Sequence, residues 1–512
     1  MSSTGFVASA DGRATDAGLA VLRAGGNAVD AAIATNAVLA VTAPHLCGLG
    51  GDLLALVHRD GAVDCLISAG RAGSLSDAAG LRAEGHTSMP LFGDVRSVTV
   101  PGCVDGLLAL HARYGSRALD GLVGRAVGLA ERGFAASAPL ARALGSLDDA
   151  GRRHLAELSS QASAPGAQVR RPGVARTLRA IAAGGRDAFY RGEFGHGLET
   201  LPGSTITAAN LARPSAQWVQ PLRSSAWGVE LWVPPPPSQG YLWPAASALA
   251  GALTLPPPDD PQWAHLLVEC ARATGFDRPD MLFDGADGEA LLAATSARGS
   301  MIDAHRARPH RHPGGAGDTT YLCVRDGSGL AVSLIQSNAS GFGSHLAEPS
   351  TQINLHNRGI GFSLAEGHRA ELRAGQRPPH TLVPGLATDR DGLRAVLGTM
   401  GGDSQPQILL QLAARLFHAG EHPRPAIEAA RWVLRGESGF DTWTSGRVRL
   451  AVEGHAPANW PDALAALGHD VVREPAFSST FGHAMAIARL ADGSWAAAAD
   501  PRTVIGTADS TG

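Results

Sequence analysis

The chain is poor in charge and in aromatic rings: of 512 residues, 18% are charged and 5% are Phe, Trp or Tyr. Its 43 basic and 47 acidic residues leave a formal charge of −4, which excludes a strongly basic nucleic-acid binder. Cysteine is scarce and odd in number, at Cys47, Cys65, Cys103, Cys270 and Cys323. No two form a CxxC pair, so a zinc ribbon, a redox dithiol and a disulfide scaffold are all disfavoured. The first residues lack a basic stretch followed by an apolar one, and no run of about 18 apolar residues occurs, so no secretory signal and no membrane span are read. The catalytic strings G-x-S-x-G, HExxH and GxxxxGK[ST] are missing as well. What remains, at 44% hydrophobic residues, is the composition of a folded, soluble protein, expected in the cytoplasm. Length alone suggests about three domains.

Glycine is abundant, at 64 residues, and marks many of the turns. Two helices are expected around Gly25-Gly26, over Thr15–Ala24 and Asn27–Val41, with Asn27 as the cap of the second. The second is apolar on every side and therefore buried. Gly48-Leu-Gly-Gly51 turns into a strand at Leu53–Val57. Further helices are expected at 120–146, 173–184, 243–253, 405–418 and 424–432, and the proline run at 233–240 is extended. Residues 304–317 read as an exposed flexible loop. Three hairpins follow, at 321–337 around Arg325–Gly329, at 381–399 around Asp389–Gly392, and at 482–499 around Asp492-Gly-Ser. Helices gather early and strands late, which is an α+β or layered αββα arrangement.

Few positions invite chemistry. Gly48-Leu-Gly-Gly51 is more simply a tight turn than a phosphate loop. His305, His310 and His312, among Arg306, Arg308 and Arg311, read as a solvated loop, and no metal or organic cofactor is expected. Asp318-Thr319-Thr320 is different, because hydroxyl residues stand where a glycine-rich loop meets the first strand of a hairpin. A chain cut there would give Thr319 a free α-amine, and an α-amine with a pKa near 8 serves as base for its own hydroxyl.

The chain resembles the γ-glutamyltransferase family of N-terminal-nucleophile hydrolases over nearly its whole length. The strings that carry the resemblance are Gly25-Gly-Asn-Ala-Val-Asp-Ala-Ala32, Thr99-Val-Pro-Gly-Cys-Val-Asp-Gly106, Pro235-Pro-Pro-Ser-Gln-Gly240, Phe276-Asp-Arg278, Gly401-Gly402 and Asp500-Pro-Arg502. The resemblance implies a four-layer αββα sandwich, built from one precursor that cuts itself between Asp318 and Thr319. Residues 1–318 would be the large subunit and 319–512 the small one, held together as one globular unit. Thr319 would be the nucleophile, Ser337 the hydroxyl that supports it, and Gly401 and Gly402 the oxyanion hole, where donors without a Cβ are needed.

The departures from the family bear on the substrate. Arg71 stands two places later than the family's carboxylate-binding Arg. Ala339 replaces an Asn, and Arg358 and Gly361 replace the Gln and Asp that hold a glutamate head group. His380-Thr381 replaces a Ser pair. Loss of the acid removes the partner of a substrate ammonium, while Arg358 adds positive charge. The altered strings, including Asn338 in Ser333–Asn338, are similar to a branch with cephalosporin acylases and oxamate amidohydrolases. Arg358, His380, Thr381, Arg71 and Asn338 are thus the candidate substrate-binding residues. The first expectation is hydrolysis of a carboxylate-bearing acyl amide through a Thr acyl-enzyme. Hydrolytic C–C cleavage of an oxalyl-type group, γ-glutamyl transfer and an inactive binding homologue are the alternatives. The partners expected are a small-molecule substrate and the two subunits for each other, with a homodimer of processed heterodimers left open. No nucleic acid and no membrane is expected.

Overall fold

A computed structural model describes residues 4–308, 318–436 and 448–512. Its centre is two antiparallel sheets laid face to face. In chain order their strands are β1 (Phe6–Ser9), β2 (Asp52–Arg59), β3 (Ala62–Ser68), β4 (Ala216–Val219), β5 (Leu222–Ala226), β6 (Val229–Val233), β7 (Asp318–Arg325), β8 (Ala331–Ala339), β9 (Gly385–Asp389), β10 (Gly392–Thr399), β11 (Ala484–Arg489), β12 (Trp495–Ala499) and β13 (Thr507–Ser510). The first sheet runs β13-β1-β7-β8-β2-β3-β4 and the second β12-β11-β10-β9-β6-β5. Strands β10 and β11 lie against β7. At that crossing a Cβ on Gly398 would sit 2.2 Å from the Tyr321 ring, so the approach needs a residue with no side chain. Strands β2, β7 and β8 are buried on both faces over almost their whole length because each sheet is covered twice.

Helices form the two outer layers, giving the expected αββα sandwich. Over the first sheet lie α1 (Gly12–Arg23), α2 (Ala28–Thr42), α3 (Cys103–Tyr114), α4 (Leu119–Arg132) and α5 (Pro172–Tyr190). Asn27 caps α2 by accepting from the Val29 and Asp30 amides, and the Asn27 amide donates to the Asp30 carboxylate. Every residue of α2 is buried, as its all-round apolar sequence requires. Over the second sheet lie α6 (Leu242–Gly251), α7 (Pro261–Gly275) and α8 (Gln405–Ala413). No helix among the described residues is long and apolar enough to cross a membrane.

Some expected elements are redrawn. The helix expected over 120–146 stops at Gly133, whose φ of 97° ends it, and resumes as Ala138–Gly145. The helix expected over 424–432 ends at Glu428, and Trp432–Arg435 is a strand. Of the loop expected over 304–317, residues 309–317 lie outside the described residues. The described part is anchored, because Ala307 is buried and its amide donates to the Leu467 carbonyl at 2.7 Å.

Candidate active site

The β7–β8 hairpin brings Thr319 and Ser337 together. Gln336 pairs with Thr320 and Ala339 with Asp318, so two residues of β8 bulge opposite Thr319. The Thr319 Oγ1 and Ser337 Oγ atoms lie 3.1 Å apart, and both residues are buried. Ser337 Oγ also accepts from the Ala339 amide at 2.8 Å, which fixes its rotamer. Ala339 has φ of 73°, so the chain leaves β8 in a left-handed turn.

Asn338, next along, faces the Gly48–Gly51 turn. Its Nδ2 donates to the Pro44 carbonyl at 3.2 Å. A Cβ on Gly51 would sit 2.3 Å from the Ser337 carbonyl oxygen, so the turn closes on β8 only because position 51 lacks a side chain.

Asp52 follows that turn and is the direct cross-strand partner of Ser337, hence on the same face of the sheet. The sequence reading passed over it. Its Oδ1 accepts from the Gly70 amide at 3.0 Å and the Gly102 amide at 3.1 Å. Its Oδ2 faces His380 Nε2 at 3.2 Å and His356 Nδ1 at 3.5 Å. Burial opposes its ionisation, but His356, His380 and the backbone donors hold its carboxyl below the usual range. Burial pushes His380 down to about 4, outweighing Asp52, so the imidazole is neutral at pH 7. Its Nε2–H then donates to Asp52, and Nδ1 has no partner among the described residues.

Arg358 and Thr381 also meet, with Arg358 Nη1 donating to Thr381 Oγ1 at 3.2 Å. Arg358 is 3% exposed, its Nε has no hydrogen-bond partner, and among the described residues no carboxylate lies at ion-pair distance from it. Burial first, and then Arg278, push the Arg358 guanidinium down to about 10, against the pull of Asp403 and Asp52. Arg278 itself pairs with Asp403 at 3.4 Å. The absence of an acid at Gly361 has a steric reason: a Cβ there would sit 2.6 Å from the Pro379 carbonyl oxygen and 3.2 Å from Arg358 Nη2.

The glycine pair leaves the end of β10, with φ of 137° at Gly401 and 51° at Gly402. Gln239, from the proline-rich string, joins it to Thr381, the hydroxyl partner of Arg358. Its Nε2 donates to the Gly402 carbonyl at 2.9 Å and the Thr381 carbonyl at 3.0 Å. Arg71 stands apart in its bonding: its Nη1 donates to Asp284 at 3.2 Å and to the Gly375 carbonyl at 3.0 Å. Asp52, Gln239, His356, Arg278 and Asp403 are the polar residues of this region whose part the sequence reading missed. Gln239, Arg278 and Asp403 lie within or beside strings it had already singled out.

A four-layer αββα sandwich with a buried threonine at the head of a central strand is the fold of the N-terminal-nucleophile hydrolases. The gamma-glutamyltranspeptidase family model matches residues 14–509, and the chain belongs to that family. It is 35% identical over 515 residues to the oxamate amidohydrolase proenzyme of Klebsiella pneumoniae subsp. pneumoniae, covering 96% of this chain and 95% of that one. It is 30% identical over 510 residues to the acylase ACY 1 proenzyme of a Pseudomonas species, covering 92% and 88%. A crystal structure of cephalosporin acylase from Bacillus halodurans superposes with a TM-score of 0.89 at 30% identity, covering 99% of this chain and 96% of that one. The chain is an enzyme of this hydrolase type.

Proposed function

We propose that the protein is a self-processing amidohydrolase acting on an acyl amide whose acyl group carries a carboxylate. One observation carries the substrate class: Arg358 is buried, bonded to a neutral hydroxyl and without a carboxylate partner among the described residues. A buried cation left so is costly unless a ligand anion completes it.

The chain is cut between Asp318 and Thr319, leaving residues 1–318 and 319–512 associated. The Thr319 α-amine takes the proton of its own hydroxyl, a role no lysine can fill because the chain contains none. Ser337, 3.1 Å away, orients the attacking oxygen. Thr319 Oγ1 attacks the acyl carbon, the Gly401 and Gly402 amides receive the developing oxyanion, and the amine leaves with a proton. Water then frees the acid from the acyl-enzyme and returns Thr319. Arg358 and Thr381 hold the substrate carboxylate, and the lone pair of the neutral His380 Nδ1 serves a substrate N–H rather than the carboxylate.

Intact mass of the parent and of Thr319→Ala tests the cut. Two fragments meeting at 318/319 in the parent, and one 52.5 kDa chain in the variant, are expected. A panel of oxamate, glutaryl anilide and γ-glutamyl anilide tests the acyl group. Turnover of the γ-glutamyl amide alone would overturn the carboxylate-only reading, and an uncut parent would overturn the nucleophile.

A further inference from the structure

A second polar cluster lies in the helical layer over the second sheet. Helix α7 carries His265 and Glu269 four residues apart, hence on one face. His469 reaches them from the turn after a helix at Trp460–Ala466. All three residues are buried, and one ligand atom from each lies within 4.8 Å of the others. His265 Nε2 meets the Asp303 carbonyl oxygen at 2.8 Å. A carbonyl only accepts, so Nε2 carries the proton and Nδ1 keeps its lone pair, 2.7 Å from His469 Nε2. Glu269 receives Arg272 Nη1 at 3.1 Å and the Arg308 amide at 3.3 Å, contacts that leave each oxygen a further lone pair. Burial holds both imidazoles in the neutral form that metals bind, with His469 pushed down to about 3.

We propose that His265, Glu269 and His469 bind one divalent cation of the Zn2+ class. Two imidazole nitrogens and one carboxylate oxygen make a three-ligand set with a fourth position for water. The Asp303 carbonyl behind His265 is the outer partner that fixes the tautomer and aims the ring. Arg272 offsets the charge of Glu269, so the cluster has neither the excess of negative charge nor the cage of oxygens that Ca2+ and Mg2+ require, and its nitrogens favour a later metal. The ion takes the place of the proton between the two imidazoles, which moves to His469 Nδ1, an atom without a hydrogen-bond partner among the described residues, so both rings stay neutral. The nitrogens then move apart to about 3.3 Å, the separation of two ligands around a tetrahedral ion at ~2.0 Å. His265 and Glu269 come from residues 1–318 and His469 from 319–512. On the reading that the chain is cut, the ion is a clamp between the two pieces, whereas metal binding itself does not depend on the cut.

The test is titration of the chelator-stripped protein with Zn2+ by calorimetry and with Co2+ by visible absorption. One ion per chain is expected, with the ligand-field bands of four-coordinate Co2+. Glu269→Gln should weaken binding on the order of 100-fold, and His469→Gln should remove the Co2+ bands. The uncut Thr319→Ala chain should bind as the parent does, so failure to mature and failure to bind read out separately. In the cut protein, a chelator should lower the denaturant concentration at which the pieces part, and no change would overturn the clamp. No stoichiometric binding, the spectrum of the aqua ion, or the parent's affinity retained in both Gln variants would overturn the site and leave a hydrogen bond between two imidazoles.

Discussion

Two buried arginine clusters in this protein differ in how their hydrogen bonds end. In one, Arg502 sits between Glu453 and Asp500. Its Nε and Nη2 reach the two Glu453 oxygens, its Nη1 reaches Asp500 at 3.0 Å, and the Ile427 and Ala429 carbonyls take what remains. Arg431 completes it with an Asp500 contact at 2.7 Å. In the other, Arg358 has the Thr381 hydroxyl as its side-chain acceptor and an Nε without a partner. A saturated guanidinium holds the fold together, and an unsaturated one is held by the fold for something else. Asp500-Pro-Arg502 is among the strings that carry the family resemblance, so such a string marks a structural necessity as readily as a catalytic one.

Substitution separates the two clusters most sharply. Arg502→Met strands two buried carboxylates and should cost about 3–5 kcal/mol, seen as a large fall in thermal midpoint and in soluble yield. Arg358→Met removes a buried charge that lacks an ion-pair partner, so the midpoint should hold or rise. Its kcat/KM on the carboxylate-bearing amide should nevertheless fall on the order of 100-fold, about 3 kcal/mol. A stability loss matching that of Arg502→Met would erase the contrast.

Acid probes both clusters, since each keeps one histidine neutral. Burial pushes His380, near Arg358, and His483, near Asp500, Arg431 and Arg502, to about 4, from an ordinary 6.5. Between pH 6.5 and 4 the unfolded chain therefore binds protons that the folded chain refuses, and stability falls as pH falls. The thermal midpoint should drop across that window, and His380→Asn and His483→Asn should each flatten the slope. The smallest effect is expected at Arg71. It is half-buried and already paired with Asp284, so Arg71→Met should change kcat/KM by about fivefold at most. A loss equal to that of Arg358→Met would return Arg71 to the substrate.

The hairpins were legible because Asp-Gly turns punctuate them, and the buried helix because its apolar residues go all the way round. Trp432–Arg435 was not, because four residues are too few to show a period. Thr319 and Ser337 could be named from their strings, yet the bulge that turns them toward one another is a property of pairing. Asp52 left a faint signal, an acid opening an otherwise apolar strand. His265 and His469 left none, for 204 residues of chain separate them and only packing brings them together.

The pairing of β1 with β13 has one more consequence. The Gly5 and Thr511 backbones bond one another at 2.9 Å, so the two ends of the described chain meet beside β7. A short linker could join them without disturbing the sheet. The open reading frame could then begin at Thr319, run through the old ends and finish at Asp318. Such a circular permutant, its initiator methionine trimmed, would be born with threonine at its amino terminus. It would separate the chemistry of making the nucleophile from the chemistry of using it.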